Sequence, residues 1–352
     1  MVNTFDITAF GAVGDGKTDC TAAIQEAIDA AAECRGQVIV PPGEYATGRL
    51  QLHGMYVTMH GVSGWSYHGD GGSALILNDP DADCLLDISA AVGCTVQGIG
   101  LNGKSLGKNV HGIKLYYEKY NGNGQEDTLT VDDCRIAEFT GDGLHFEHVW
   151  AFTVRHCMMI FNKGAGLFID GWDGFISDCI FCHNLNAGAF GGNTCSSLTF
   201  TGNRVEWNWR GGFVFPSGGS CNITGNFFDR SFGPGIDLGA PGKGYSMATV
   251  TGNVFRRSGA FNNDRPLIDG EDSCCHIRLT NCGGLTVIGN TGATGGDDGP
   301  GGEITPHTGF IITDCTECIV RDNVLANDGD GKMLDLRGDN ATCIIDSNIG
   351  SE

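Results

Sequence analysis

A block of roughly 23 residues recurs through the middle of the chain and constrains the fold more than any other feature. "LTVDDCRIAEFTGDGLHF" is followed by "FTVRHCMMIFNKGAGLFI", "GFISDCIFCHNLNAGAF", "LTFTGNRVEWNWRGGFVF", "CNITGNFFDRSFGPGIDL" and "ATVTGNVFRRSGAF". Each block holds an alternating apolar strand, a Cys or Asn, a second apolar pair, a polar turn, a Gly-rich step and another alternating strand. The anchors Cys134, Cys157, Cys179, Asn203, Asn226 and Asn253 are 23, 22, 24, 23 and 27 residues apart, and Asn290, Asn323 and Asn348 continue the series with insertions. Such a period, built from short alternating strands, predicts a solenoid. A leucine-rich repeat would need a Leu consensus that is absent. A parallel β-helix fits, each coil turning three times and stacked coils pairing about 4.8 Å apart. The recurring Asn or Cys would form an internal ladder, its amide bonding the coils above and below.

Composition agrees with many short strands joined by tight turns. The chain has 57 glycines, only 9 prolines and no G-X-Y period, and its 41% hydrophobic content excludes wholesale disorder. The 352 residues are read as one all-β domain, with a cap and first coil over 1–55 and further coils over 56–352. A net charge of −21 argues against a general nucleic-acid or anionic-membrane binder, because phosphate affinity rests on Lys and Arg. No apolar run reaches the ~18 residues of a membrane span, and "MVNTFDITAF" lacks a signal-peptide pattern. The expectation is a cytoplasmic protein, or a secreted one whose signal peptide has been removed. Most of the 16 cysteines lie in apolar strand-like runs, which favours reduced, buried thiols over disulfides. "CIFC" and "CTEC" lie too far apart in sequence for structural-zinc spacing.

Near the N-terminus, "TDCTAAIQEAIDAAAE" predicts an amphipathic helix with Ile24, Ala27, Ile28 and Ala31 on one face and Asp19 or Thr18 as N-cap. A solenoid exposes an apolar end, and a short helix is a natural lid for it. "FGAVGDGKTDCTAAIQEAIDAA…GQVIVPPGEY…GRLQL" resembles the opening of the pectate-lyase-like superfamily of right-handed parallel β-helices. That group includes polygalacturonases, rhamnogalacturonan-degrading enzymes, fructan-converting enzymes and phage tailspike depolymerases. The specific match covers about the first 55 residues, and the repeats extend it over nearly the whole chain. The resemblance implies a saccharide-binding groove along one sheet.

The strand after each Gly step is the candidate for that sheet. In "GLHFE", Leu144 and Phe146 should point inward and His145 and Glu147 outward. The same alternation turns out Lys114, Phe168, Asp170, Val214, Asp237, Arg278, Asp335 and Arg337. Stacked in order, Lys114, His145, Glu147, Asp170, Asp237 and Arg278 form an acidic stripe flanked by cations. Glu147 and Asp170 hold equivalent places on consecutive coils, roughly 5 Å apart, so one is expected to be held protonated as a general acid. Glycosidic cleavage needs such a pair, one carboxyl protonating the leaving oxygen and the other serving as base or nucleophile. Asp237 would serve another sugar ring. Lys114, His145 and Arg278 would position substrate.

Asp142 resembles the first aspartate of the polygalacturonase Gly-Asp-Asp element, with Gly143 in place of the second. His111 stands where that family has the aspartate of Asn-x-Asp-Gly, "GPGIDLG" lacks the histidine of Gly-His-Gly, and no Arg-x-Lys is present. The family's catalytic set is therefore not carried over intact. Asp142 reads either as catalytic or as a turn aspartate bonding its own backbone. Trp172, Trp207 and Trp209 suit stacking on sugar rings, or else close loops against the wall. The loops at 295–303 and 327–332 admit Ca²⁺, and no other cofactor is implied. Together these readings give a carbohydrate-active enzyme cleaving or rearranging glycosidic bonds of a poly- or oligosaccharide, inulin-fructotransferase-like chemistry included. The alternatives are a uronate polysaccharide lyase and a non-catalytic saccharide-binding module. A homotrimer is consistent with such a solenoid.

Overall fold

Two-residue turns set the shape of each coil. The first residue of the turn is left-handed and the second, a Cys or Asn, points inward. In a computed structural model, Asp133 and His156 hold the first position with φ of 53°, and Gly202, Gly225, Gly252 and Gly289 hold it with φ of 63–68°. Glycine, and to a lesser degree Asp, tolerates this conformation, which explains the "TGN" and "DDC" signatures. The structure describes residues 3–62, 65–117, 128–260, 267–296, 303–326 and 331–350.

The chain forms two compact units, Met1–Phe175 and Ile176–Glu352. In each, successive coils contribute one strand to each of three sheets, and all the stacked pairs are parallel. The fold is a right-handed parallel β-helix. In the first unit one coil runs Thr130–Asp132, Arg135–Ala137 and Leu144–Trp150, and the next pairs with it through Thr153–Arg155, Met158–Ile160 and Leu167–Trp172. The third sheet of this unit carries the residues of interest: Leu50–Met55 (β1), Cys84–Val92 (β2), His111–Tyr116 (β3), Leu144–Trp150 (β4) and Leu167–Trp172 (β5). Its counterpart in the second unit comprises Ala187–Gly191 (β6), Gly211–Phe215 (β7), Ile236–Leu238 (β8), Cys275–Thr280 (β9), Thr308–Thr313 (β10) and Lys332–Arg337 (β11).

Alternation places Leu144, Phe146, Leu167 and Ile169 in the core, fully buried. In the second unit Phe228 and Phe255 stack with ring centroids 5.1 Å apart. Phe200 and Phe213 approach to 4.9 Å, so adjacent coils interlock through aromatic faces. Every cysteine is a free thiol, and all but Cys34 and Cys343 are buried. Burial raises the Cys134 thiol well above its usual range, so it stays protonated and packs as a small hydrophobe.

The internal ladder is an asparagine ladder. Asn203 donates its Nδ2 to Asn226 Oδ1 at 3.0 Å, Asn226 to Asn253 at 2.9 Å, Asn253 to Asn290 at 3.0 Å, Asn290 to Asn323 at 2.9 Å and Asn323 to Asn348 at 2.9 Å. A second ladder, not evident from the repeat, begins at the turn into the third sheet, where Asn184 Nδ2 donates to Asn208 Oδ1 at 2.9 Å.

Helix α1, Thr21–Cys34, buries Ile24, Ala27, Ile28 and Ala31 as the pattern predicts. It packs on β1, where Ala32 lies so close to Gly54 that an added Cβ there would sit 3.0 Å from the alanine methyl. Its N-cap is Cys20, without a side-chain bond, rather than Asp19 or Thr18. The preceding strand continues through Asp19, which pairs with Ala46, so the chain enters the helix one residue later. Asp19 still helps, accepting from the Thr21 amide at 3.1 Å. No helix among the described residues is long and apolar enough to cross a membrane.

Candidate active site

Two columns of side chains cover the outer face of β3, β4 and β5. Lys114, His145 and Phe168 form one, and Tyr116, Glu147 and Asp170 form the other. The parallel register builds both, since each coil supplies one residue to each column. Glu147 and Asp170 are direct neighbours, as expected.

The chemistry gathers around His145. Its Nδ1 lies 2.7 Å from Asp142 Oδ2 and its Nε2 lies 2.8 Å from Glu147 Oε1. Phe168 stacks on the imidazole at 4.7 Å, 10° from parallel, and the His111 ring lies 4.2 Å away. Asp142 is more than a turn residue. Its Oδ1 accepts the Ala165 amide at 2.6 Å, and its own amide donates to His111 Nδ1 at 3.0 Å. Gly143 is obligatory: an added Cβ would fall 2.7 Å from the Gly166 carbonyl oxygen and 2.8 Å from Asn162 Nδ2. No aspartate can stand there, which accounts for the departure from Gly-Asp-Asp.

Glu147 is also engaged by His145, a contact that the outward-facing pattern does not announce. The side chains of Asp142 and His145 are 13% and 15% exposed and that of Glu147 is 31% exposed, so the cluster opens to solvent at Glu147. Burial by itself would lower the His145 pKa. The hydrogen bond and charge of Asp142, with Glu147 added, outweigh burial and raise it. An imidazolium donating from both nitrogens to two carboxylates is the result. Burial pushes the other way at His111, and the His145 charge adds to it, giving a pKa of about 4.

These opposite shifts predict a pH profile of stability. Below pH ~6.5 the unfolded chain binds a proton that folded His111 refuses, so this contribution is lost as pH falls towards about 4. It amounts to about 3 kcal/mol. His145, raised in the folded state, contributes at lower pH and loses its contribution as pH climbs through its folded value. Urea midpoints measured from pH ~4.5 to ~8.5 should show the acid-side loss, and His111→Phe should reduce it. An unchanged acid limb in that variant would refute the assignment.

Lys114 is half-buried and bonds Asp83 Oδ2 at 2.8 Å, and Arg49 bridges Asp83, at 3.2 Å, to Asp87. His148 is a bulge residue with φ of 57°, set where the register shifts between Glu147 and Val149. Trp172 packs edge-on against Trp150 at 5.7 Å.

In the second unit a cleft of about 380 Å³ is lined by Arg210, Asp237, Asp269, Arg278, Ile311 and Arg337 among others. Asp237 is not a free catalytic carboxylate. Both of its oxygens accept from Arg278, at 2.9 and 2.7 Å, and Arg278 also reaches Asp269 at 3.0 Å. Arg337 is held by Asp335 at 2.7 Å and by Asp272 at 2.8 Å. Val214, expected to point outward, is buried and forms part of the cleft wall.

Trp207 is not a sugar platform. Its position in the coil is occupied by His183 on one neighbour and Arg230 on the other. His183 stacks on its ring at 5.5 Å and the Arg230 guanidinium lies 4.8 Å from the ring centroid, so both faces are covered. Trp209 lies 5.9 Å from Phe232 and keeps partial exposure. The proposed calcium loops fall largely outside the described residues.

His111 is the participant that the outward-facing pattern missed. It begins β3 and is buried, so alternation alone does not expose it. The available signal was its place at the aspartate of the resembled Asn-x-Asp-Gly step.

Two family profiles match the chain: "Rhamnogalacturonase A/epimerase, pectate lyase-like" over residues 4–67 and "Right handed beta helix region" over 188–350. Both profiles describe pectate-lyase-like or right-handed β-helix proteins, in agreement with the observed fold. The chain is 27% identical over 252 residues to a probable glucan endo-1,3-beta-glucosidase of Arthroderma benhamiae, covering 64% of this chain and 26% of that protein. It is 26% identical over 291 residues to a probable rhamnogalacturonase A of Aspergillus oryzae, covering 71% and 59%. The chain thus spans about a quarter and under two thirds of the length of these two curated relatives. In fold it matches DFA-IIIase from Arthrobacter chlorophenolicus A6, solved without its lid in complex with GF2, with a TM-score of 0.69 over 99% of both chains at 16% identity. These relatives are carbohydrate-active β-helix proteins.

Proposed function

We propose that the chain is a carbohydrate-active enzyme that cleaves or rearranges glycosidic bonds of a poly- or oligosaccharide, with Glu147 and Asp170 as its carboxylate pair. The observation that carries this reading is their direct apposition on β4 and β5, with Glu147 held at Oε1 by His145. In this reading Glu147 attacks the anomeric carbon or activates the acceptor, and Asp170 delivers a proton to the leaving oxygen. Neighbouring strands lie about 5 Å apart, a spacing that favours direct attack over an interposed water. An internal hydroxyl of the substrate could then replace water as acceptor. His145 orients Glu147, and Asp142 orients His145.

The ion pairs favour this reading over a lyase. Lys114 is engaged by Asp83 and Arg278 by Asp237, so neither is poised to neutralise a uronate carboxylate. A panel of neutral and uronic poly- and oligosaccharides, assayed for new reducing ends, anhydro products and ultraviolet-absorbing unsaturated products, tests it. Unsaturated products would establish the lyase instead, and binding without turnover would establish a non-catalytic module.

A further inference from the structure

We propose that Tyr116 is the aromatic platform of a subsite for one neutral sugar ring, set directly beside Glu147 and Asp170. The parallel register places Tyr116 next to Glu147 and Glu147 next to Asp170, so the phenol ring continues the carboxylate column by one strand. That step is about 4.8 Å, comparable to the width of a sugar ring. A ring lying on Tyr116 would hold the next unit of the saccharide against the carboxylates.

Tyr116 is 40% exposed, and it is the one aromatic side chain on β3, β4 and β5 that is neither buried nor half-buried. The other rings of this face are engaged: Trp172 packs edge-on against Trp150, and Phe168 lies flat on His145. Tyr116 is braced without being sealed. Its amide donates to Ser89 Oγ at 3.0 Å, the Lys114 ammonium lies 5.8 Å from its ring centroid, and the His148 ring stands tilted at 6.1 Å. Both braces are themselves anchored, Lys114 to Asp83 at 2.8 Å and His148 Nδ1 to the Tyr117 carbonyl. A side chain held in this way loses little freedom when a ligand stacks on it.

The ligand class follows from the ring and the charges around it. The C–H groups on one face of a sugar are weakly positive and meet the negative face of the phenol. Lys114 is already paired with Asp83, His145 with Asp142 and Glu147, and Asp170 adds a further carboxylate. Carboxylates outnumber cations here, so a uronate is repelled and a neutral ring accepted. The inference rests on the proposed carboxylate pair for its place beside the reaction, and binding measured without turnover separates the two.

The test is calorimetric titration of Glu147→Gln with inulotetraose, laminaritetraose and tetragalacturonate. At least one neutral tetrasaccharide should bind, and tetragalacturonate should bind at least about tenfold more weakly. In the same background Tyr116→Ala should raise Kd about tenfold, whereas Tyr116→Phe, which keeps the ring, should change it by less than about threefold. The Tyr116 ring resonance, assigned by its loss in Tyr116→Phe, should shift on binding, a reading that stands even if Tyr116→Ala fails to fold. No binding of either neutral tetrasaccharide, tighter binding of tetragalacturonate, an unmoved ring resonance, or unchanged affinity in a folded Tyr116→Ala protein would each overturn the platform. Turnover surviving in Glu147→Gln would remove the catalytic proposal and leave the platform to the ring resonance.

Discussion

Glu147→Gln is expected to lower kcat by about a thousandfold on whichever saccharide the wild type turns over, with KM changed by less than about threefold. The amide keeps the size of the side chain, and its oxygen still accepts from His145, so the column between Tyr116 and Asp170 is preserved. What disappears is the charge or basicity needed at the reacting centre. Asp170→Asn should cost a similar factor if it delivers the proton, and the loss should shrink on substrates with a good leaving group, which need little protonation. Single-turnover rates measured on both variants would separate the two roles. Rates within tenfold of wild type in Glu147→Gln would end the assignment, because no other exposed carboxyl on β4 could substitute.

The second large effect concerns stability. Asn253 is fully buried and serves three partners: it donates Nδ2 to the Ile223 carbonyl and to Asn290 Oδ1, each at 3.0 Å, and its Oδ1 accepts the Asn226 amide at 3.0 Å and Asn226 Nδ2 at 2.9 Å. Asn253→Ala strips an acceptor from two buried N–H groups and a donor from two oxygens, of which Asn290 Oδ1 keeps the Asn253 backbone amide while the Ile223 carbonyl loses its asparagine partner. At about 1–3 kcal/mol for each orphaned group, the loss should be about 3–6 kcal/mol, partly relieved by relaxation. Asn348 ends the ladder and is partly exposed, so Asn348→Ala should cost about 1 kcal/mol, with water replacing the amide. Urea unfolding of both variants checks the contrast. Equal, small losses would mean that the ladder contributes little beyond filling space.

The sequence carried the architecture because a period is a local signal. The "TGN" turns, the alternation in "GLHFE" and the helix face of Ile24 and Ile28 are each readable within a dozen residues, and each is where the pattern places it. Columns were legible for the same reason, since a shared register converts repeat position into spatial adjacency; Glu147 beside Asp170 follows directly. Pairing between side chains was less legible. The guanidinium of Arg278 closes on Asp237 across 41 residues, and nothing in either strand announces that both oxygens are taken. Trp207 reads as an exposed indole until its neighbours on adjacent coils, His183 and Arg230, are seen to cover it. His111 was marked by its place at the aspartate of the resembled Asn-x-Asp-Gly step, but its bond to the Asp142 amide was not legible, being a matter of rotamer rather than position.

The left-handed hinges have a consequence for how such a chain can change. Because each winding begins and ends at the same kind of bend, an entire winding can be deleted or copied with its neighbours meeting again in step. The winding that spans Gly225 to Gly252 has this property, and so does the next, from Gly252 to Gly289. The histidine–carboxylate chemistry is confined to strands β3, β4 and β5. Copying a glycine-hinged winding would therefore add a coil to the second unit while the reacting groups of the first kept their mutual distances.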